Sequence, residues 1–260
     1  MPTRIEAEQD RPVALVTGGA RRVGAVIARV LAEAGYAVVV HARASIDEAA
    51  ALAANLVSNG AKATALRADL ALPSERDSLM ARAHDCFGPV SLLVNSAAIF
   101  HSDGLMDFSD ARLMDHMTVN LLAPLRLARD FAVQARPASN ASIVNIVDHR
   151  VLKLTPQHFS YTLSKAALYA ATVTMAQELA PHIRVNAVGP GPTLPNSHDG
   201  ERGLQHEASG VPLRHLVDPH DIAEAVLYLA RAKSVTGDMI AVDSGQHIGW
   251  QTPDIIADRG

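Results

Sequence analysis

Short apolar runs alternate with longer amphipathic stretches along almost the whole of this 260-residue chain. This order is typical of a parallel β-sheet covered by helices on both faces. The apolar runs predict seven strands, at residues 12–16, 37–41, 61–66, 90–94, 142–147, 183–188 and 239–242. The stretches between them predict helices at 23–34, 46–59, 74–86, 109–136, 160–180 and 220–230. Because the crossovers are long enough to make each strand parallel to the last, we predict one doubly wound α/β domain over residues 1–260.

One long segment, residues 189–213, breaks this rhythm and is rich in proline and glycine. A structureless stretch of that length inside a compact domain is usually a functional lid or partly disordered. It follows the sixth strand, so it would overhang the carboxyl ends of the strands, where open α/β sheets bind ligands. We predict that it is a substrate loop.

The charge balance argues against several classes of partner. Lys and Arg total 23, Asp and Glu total 27, and the net charge of −4 is spread evenly, so we expect neither nucleic acid nor a membrane surface as a partner. Cys86 is the only cysteine, which fits a reducing cytoplasm. Residues 1–11 are polar and predict a flexible tail. Without an apolar h-region there or a long apolar run elsewhere, we expect neither export nor a membrane span.

A glycine-rich turn follows the first predicted strand and opens a helix. It reads Thr17-Gly18-Gly19-Ala20-Arg21-Arg22-Val23-Gly24. Glycines here let the backbone turn tightly and approach a pyrophosphate, whose charge lies at the helix N-terminus. The turn therefore predicts a dinucleotide site, and the alternative is a turn that serves packing only.

The end of the second strand indicates which dinucleotide is bound. An acidic residue there would bind the ribose 2′-hydroxyl of NAD, but the chain reads Val40-His41-Ala42-Arg43-Ala44-Ser45, with no carboxylate before Asp47. Arg43 and Ser45 could instead donate hydrogen bonds to a 2′-phosphate, so we predict NADP(H) as the cofactor. The alternative is that Arg43 is only a solvated surface charge.

Tyr161 and Lys165 lie four residues apart in a strongly helical segment, so their side chains share one face. An ammonium near a phenol stabilises the phenolate, and we expect it to lower the pKa of Tyr161 from about 10 towards neutrality. The pair therefore predicts a proton donor for catalysis.

With these motifs the chain resembles the short-chain dehydrogenase/reductase family over nearly its whole length. The matching pieces occur in the family's order: Thr17-Gly18 with Gly24, Asp69-Leu70, Asn95-Ser96-Ala97-Ala98, Asn120, Tyr161-Thr162-Leu163-Ser164-Lys165 and Pro190-Gly191. The resemblance implies a Rossmann-type fold, a soluble reductase and a homotetramer built through the helices at 109–136 and 160–180.

The same resemblance implies roles for individual residues. Asp69 and Leu70 would meet the adenine, Asn95 would stabilise the ribose region and the sheet, and Lys165 would also hold the nicotinamide ribose. Asn120 would support a water-linked proton relay to Lys165. The remaining cofactor contacts that it implies are Gly18, Arg22, Val23, Gly24, His41, Ala97, Pro190 and Gly191.

Two departures from the general family pattern indicate a subgroup. Arg22 replaces a third glycine, and Asp148 replaces the catalytic serine after the fifth strand. Both changes, the thirteen-residue step from Asp148 to Tyr161 and the aromatic Phe100 resemble pteridine reductases and bacterial dihydromonapterin reductases. This resemblance implies that Arg22 contacts cofactor phosphate and pterin, that Asp148 assists Tyr161, and that Phe100 stacks on the substrate. Ala98 departs from the subgroup, which often has a serine there, and Phe100 could also be mere packing.

The sequence therefore predicts hydride transfer from NADPH to a C=N or C=O carbon of a small molecule, with the proton delivered by Tyr161 directly or through Asp148. The resemblance implies that this small molecule is a pterin. We expect burial to favour the neutral form of Asp148. The positive charge of Lys165 should have the opposite effect and favour the Asp148 carboxylate. Alternatives are a carbonyl reductase acting on an unrelated ketone, in which Asp148 merely caps a loop, and a non-catalytic NADP-binding regulator. Histidines lie nearby, but without His-x-x-x-His spacing we expect no metal site.

Overall fold

The computed structural model describes residues 11–135, 140–194 and 208–250. Within these ranges seven strands form one sheet. The strands are β1 (Val13–Val16), β2 (Ala37–Ala42), β3 (Ala63–Arg67), β4 (Val90–Asn95), β5 (Ala141–Ile146), β6 (Ile183–Pro190) and β7 (Met239–Val242). All seven predicted strands are confirmed, with ends that differ by at most two residues.

Every neighbouring pair of strands is parallel, and the strand order is β3-β2-β1-β4-β5-β6-β7. The chain thus runs outward from β1 in one direction and then returns to continue in the other. This is the doubly wound arrangement that the sequence predicts. In such sheets the strand order reverses between β1 and β4, and the crevice above that point is where ligands bind.

Helices cover both faces of the sheet. They are α1 (Arg22–Glu33), α2 (Ile46–Ser58), α3 (Pro73–Phe87), α4 (Asp110–His116), α5 (Ala123–Gln134), α6 (Phe159–Leu179) and α7 (Pro219–Arg231). Alternate residues of each inner strand point to opposite faces, so the core has two layers. Val38 and Val40 pack with α1, α2 and α7, whereas Val39 and Leu93 pack with α3, α5 and α6. No helix in the described ranges is both long and apolar enough to cross a membrane.

The helix predicted at 109–136 is interrupted. Residues Met117–Leu122 form a π-helical turn between α4 and α5, and Asn120 lies within it, fully buried. Such turns widen a helix by one residue and often occur at functional sites. Periodicity alone does not report this insertion, because the apolar spacing on either side stays helical.

Two sequence predictions lie partly outside the described residues. Of the predicted substrate loop 189–213, residues 195–207 are outside the description, as are residues 1–10 of the predicted tail. The described start of the loop belongs to β6, which extends as far as Pro190.

The turn between β1 and α1 has no space for side chains at two of its glycines, because backbone atoms lie directly against them. Gly18 has a φ of 62°, and a Cβ added there would lie 2.8 Å from the Cα of Ala97. A Cβ at Gly24 would overlap the carbonyl oxygen of Gly18 and lie 2.9 Å from its carbonyl carbon. Arg22 also has a positive φ, 52°, at the position where the family pattern has glycine. A side chain is kept here although the backbone conformation disfavours it.

We expect Gly24→Ala to lower the free energy of unfolding by about 1–3 kcal/mol, because the added methyl group has only fixed backbone to displace. Thermal unfolding followed by circular dichroism should show a midpoint roughly 2–12 °C below that of the parent. Gly210→Ala is the control, since a Cβ there meets nothing within 4 Å. Equal midpoints for Gly24→Ala and the parent would contradict this steric account.

Candidate active site

A cavity of about 450 Å³ opens at the carboxyl ends of the central strands. It lies at the point where the strand order reverses. Lining residues come from the ends of β1 to β6, from the start of α1, from the π-helical turn and from α6. They are Gly18, Arg21, Arg22, Val23, Gly24, His41, Arg43, Asp69, Leu70, Ser96, Ala97, Ala98, Ile99, Val119, Ile146, Val147, Asp148, Tyr161, Lys165, Pro190 and Gly191.

Most of the predicted site residues line this cavity, but four do not. Ser45, Asn95, Phe100 and Asn120 are absent from its described lining. Conversely, the sequence analysis did not select several residues that do line it: Arg21, Ser96, Ile99, Val119, Ile146 and Val147. Most of these are small or apolar side chains next to a motif, and no chemical signal distinguishes them from ordinary packing residues.

Two arginines, Arg21 and Arg43, lie at the β2 end of the cavity, and a third, Arg22, reaches towards the segment that follows β6. Arg43 is exposed and its guanidinium lies 4.0 Å from the carboxylate of Asp69. Arg21 pairs with Glu48, and Arg22 donates a hydrogen bond to the Leu194 carbonyl at 3.3 Å. This end of the cavity therefore offers guanidinium donors that a phosphate group could use, although each is paired with a carboxylate in this structure. Ser45 precedes α2 and is half-buried.

His41 ties the glycine-rich turn to the end of β3. Its Nδ1 accepts a hydrogen bond from the Gly18 N–H at 3.2 Å, and its Nε2 lies 3.0 Å from the Ala68 carbonyl oxygen. Only the neutral ring with hydrogen on Nε2 satisfies both partners. Burial lowers the pKa of His41, which favours this neutral form, although the hydrogen bond to Ala68 opposes the shift. His41 therefore fixes the turn from within the cavity wall.

Tyr161 and Asp148 meet at the opposite end of the cavity. The Tyr161 hydroxyl donates a hydrogen bond to Oδ2 of Asp148 at 3.1 Å. Tyr161 is buried near the start of α6, and Asp148 follows β5 immediately before a 3-10 turn at His149–Val151. Asp148 and Tyr161 are thirteen residues apart in the sequence, and the packing of α6 beside β5 brings the Tyr161 hydroxyl and Asp148 Oδ2 into direct contact.

Asp148 is a carboxylate in this structure. Burial raises its pKa, but the hydrogen bond from His149 and the charge of Arg150 outweigh burial and bring the pKa down to about 2. The expected opposition of burial to ionisation is present, but the effect that favours the carboxylate does not come mainly from Lys165 as the sequence predicted. Its main source is the pair of residues that follow Asp148, which the sequence analysis did not assign.

The expected effect of Lys165 on Tyr161 is wrong for this structure. Burial and the neighbouring carboxylate of Asp148 raise the pKa of Tyr161 well above its usual value. The Lys165 Nζ lies 5.8 Å from the centre of the Tyr161 ring and donates a hydrogen bond to the Ile146 carbonyl at 2.7 Å. Burial lowers the pKa of Lys165 to about 8. Tyr161 is therefore a neutral phenol that holds a proton to donate.

Asn120 fixes the segment that follows β4. Its Oδ1 accepts from the Ile99 N–H at 2.9 Å, and its Nδ2 donates to the Ile99 carbonyl at 3.0 Å and to the Ser164 hydroxyl at 3.1 Å. Both polar atoms of the Asn120 side chain are therefore bonded to Ile99 or Ser164, and Lys165 is not among their partners. Phe100, next in the chain, packs its ring against the edge of Tyr161 at 4.7 Å between centroids.

Asn95 faces the interior of the sheet. Its Nδ2 donates to Oδ1 of Asn145 at 2.9 Å, and Asn145 donates in turn to the Thr172 hydroxyl of α6 at 2.9 Å. This chain of buried amides ties β4, β5 and α6 together, which corresponds to the sheet-stabilising part of the role expected for Asn95. In the described ranges no group of three or more His, Cys, Asp or Glu side chains is arranged to hold a metal ion.

Comparison with known proteins gives consistent matches. The family model described as Enoyl-(Acyl carrier protein) reductase matches residues 18–247. A 3-oxoacyl-(acyl-carrier-protein) reductase FabG of Staphylococcus epidermidis is 31% identical over 243 residues, covering 90% of this chain and 98% of that protein. A short-chain type dehydrogenase/reductase of Picea abies is 31% identical over 249 residues, covering 90% and 92%.

A solved structure is more similar still. FolM alternative dihydrofolate reductase 1 from Brucella canis, complexed with NADP, is 41% identical and superimposes with a TM-score of 0.91. The match covers 96% of this chain and 99% of that one. Similarity at this level extends over the whole fold and includes every element that builds the cavity.

Proposed function

Because the chain belongs to the short-chain dehydrogenase/reductase family, we propose that this oxidoreductase uses NADPH to reduce the C=N bond of a pterin or dihydrofolate-like ring. The observation that carries this proposal is the contact between Asp148 and Tyr161, with the Phe100 ring against the same tyrosine. A carboxylate can accept hydrogen bonds from the ring N–H and amino groups of a pterin. The Phe100 ring lies outside the described cavity lining, so it supports the position of Tyr161 and does not itself face the cavity.

The cavity fits a phosphorylated dinucleotide. The glycine turn removes side chains where backbone must approach, and the start of α1 directs backbone N–H groups towards the cavity. Arg43 and the neighbouring arginines suit a 2′-phosphate, and Asp69 with Leu70 would flank the adenine. When bound, NADPH would supply the hydride for the substrate carbon.

The protein's own part is to bind, orient and deliver a proton. Tyr161 retains its proton at neutral pH and would donate it to the substrate nitrogen or oxygen. Asp148 holds the hydroxyl in place until the substrate arrives, and Lys165 lies on the same helical face with its ammonium bonded to the Ile146 carbonyl. Asn120 would act by fixing Ile99 in the cavity wall and Ser164 on the catalytic helix, and a relay from it to Lys165 would require an intervening water.

A second candidate is reduction of a ketone or 3-oxoacyl group. It is supported by the similarity to the FabG reductase of Staphylococcus epidermidis, whose name describes that activity. Asp148 weighs against it, because the anionic oxygen offers no hydrogen-bond donor to a carbonyl.

A panel assay of NADPH oxidation should distinguish the two candidates. We expect turnover with a dihydropterin or with dihydrofolate, and much less with 3-oxoacyl thioesters and simple ketones. Tyr161→Phe should lower kcat about 10²–10⁴-fold, the range typical of general acid catalysis, while the Kd for NADPH stays nearly unchanged. Tyr228→Phe, on the exposed face of α7, is the matched control. Turnover of ketones alone would favour the second candidate, and a Tyr161→Phe rate above half the parent's would remove Tyr161 from the mechanism.

We expect the parent to bind NADPH more tightly than NADH, which lacks the 2′-phosphate. Arg43→Ala should erase most of this difference in affinity. A charge-assisted hydrogen bond contributes about 1.5–3 kcal/mol, which corresponds to roughly 10- to 150-fold in Kd. Fluorescence titration with both cofactors measures this. Arg29→Ala is the matched control, since Arg29 lies on α1 and donates to the Asn55 side chain. Equal Kd values for the two cofactors in the parent would refute the phosphate assignment.

We also propose a homotetramer associated through α5 and α6. Apolar side chains such as Val133 and Val173 are exposed on these helices, and a shallow apolar depression lies between them. We expect sedimentation velocity to show four chains per particle, and Val133→Glu to dissociate them. Val57→Glu, at an exposed position on α2, is the control and should leave the assembly intact. A monomeric parent protein at micromolar concentration would contradict the proposal.

A further inference from the structure

Two residues that follow Asp148 hold its carboxylate in one orientation. The backbone N–H of Arg150 donates to Oδ1 at 2.9 Å, and the Arg150 guanidinium lies 3.4 Å from Oδ1 and 3.3 Å from Oδ2. Nδ1 of His149 is 3.1 Å from Oδ1. Oδ1 thus has three donors around it, whereas Oδ2 faces the Tyr161 hydroxyl. The carboxylate cannot rotate without giving up these contacts.

Four titratable or charged groups face this carboxylate in the described structure. His149 and Arg150 approach from the 3-10 turn, and Tyr161 and Lys165 approach from α6. Nδ1 of His149 also lies 3.1 Å from the Pro190 carbonyl, so the single hydrogen it can carry has two competing acceptors. Lys165 directs its ammonium at the Ile146 carbonyl. Arg150 alone among the four combines a permanent positive charge with direct contact.

We propose that Arg150 is a positioning residue of this active site, which stabilises the Asp148 carboxylate by direct contact and directs its Oδ2 at the Tyr161 hydroxyl. Its effect on catalysis rests on the proposed reductase function, whereas its effect on the carboxylate does not. The geometry favours a strong effect, because the Arg150 and Asp148 side chains are only 19% and 13% exposed. Water screens such a pair much less than it screens a surface ion pair.

Removal of this charge should change the chemistry of the site. Burial raises the pKa of Asp148, and the positive charge of Arg150 lowers it. Without Arg150 the pKa of Asp148 should therefore rise. A protonated Asp148 would itself be a donor, so Tyr161 would lose a fixed acceptor and the hydroxyl would no longer be held in one direction. The reduction should then fail on the acidic side of a pH that the parent enzyme tolerates.

Carbon-13 NMR of aspartate side chains in the full-length protein tests the proposal without any substrate. The Asp148 carboxyl signal is identified by its loss in Asp148→Asn. We expect Arg150→Met to raise the titration midpoint of that signal by about one pH unit or more, and Arg150→Lys to keep it close to the parent. Arg29→Met is the matched control, because Arg29 is an exposed residue of α1 that donates to the Asn55 side chain. If Arg150→Met does not fold, Arg150→Gln takes its place. An Asp148 signal identical in the parent and the neutral variants would overturn the proposal.

The pH profile of kcat/KM tests the catalytic part, with NADPH and whichever substrate the panel assay identifies. We expect Arg150→Met to lose rate as the pH falls through its new NMR midpoint, while the parent, Arg150→Lys and Arg29→Met keep theirs. Superimposable profiles for all four proteins would overturn the positioning role. If no substrate is reduced, the proposed function fails, and the NMR titration still decides whether Arg150 stabilises the Asp148 carboxylate.

Discussion

Parallel pairing of β4 with both β1 and β5 brings three chain segments to one edge of the sheet. The glycine turn follows β1, the segment Ser96–Ile99 follows β4, and Asp148 lies just beyond β5. Because parallel strands end on the same side, these segments must border one crevice. Contacts behind the crevice then fix its wall, with His41 bonded to the turn and Asn120 bonded to Ile99. The location of the cavity is therefore a direct consequence of strand direction.

Charge within the crevice is divided between its two ends. Arginines gather near β2, where a phosphate would lie, and a buried carboxylate lies beside the phenol at the other end. An isolated buried carboxylate would be costly, and it is retained here because hydrogen-bond donors and a guanidinium surround it. The same carboxylate keeps Tyr161 protonated.

Two local features carry a conformational cost near the site. Arg22 adopts a backbone conformation that glycine would adopt freely, and the long helix widens into a π-helical turn at Asn120. Ordinary packing gives no reason for either. Arg22 lines the cavity and Asn120 fixes its wall, so both costs are associated with the site that the surrounding fold stabilises.

The sequence by itself determined the seven strands, their parallel direction and most of the residues around the cavity, because apolar periodicity and ordered motifs are local properties of the chain. It also placed Tyr161 and Lys165 on one helical face. Only the tertiary structure decided the ionisation of Asp148 and Tyr161, the interior orientation of Asn95 and the partners of Asn120. Those properties depend on burial and on which side chains meet in space. Arg150 lies two residues from Asp148, yet its importance appears only when the fold buries both and excludes the water that would screen them.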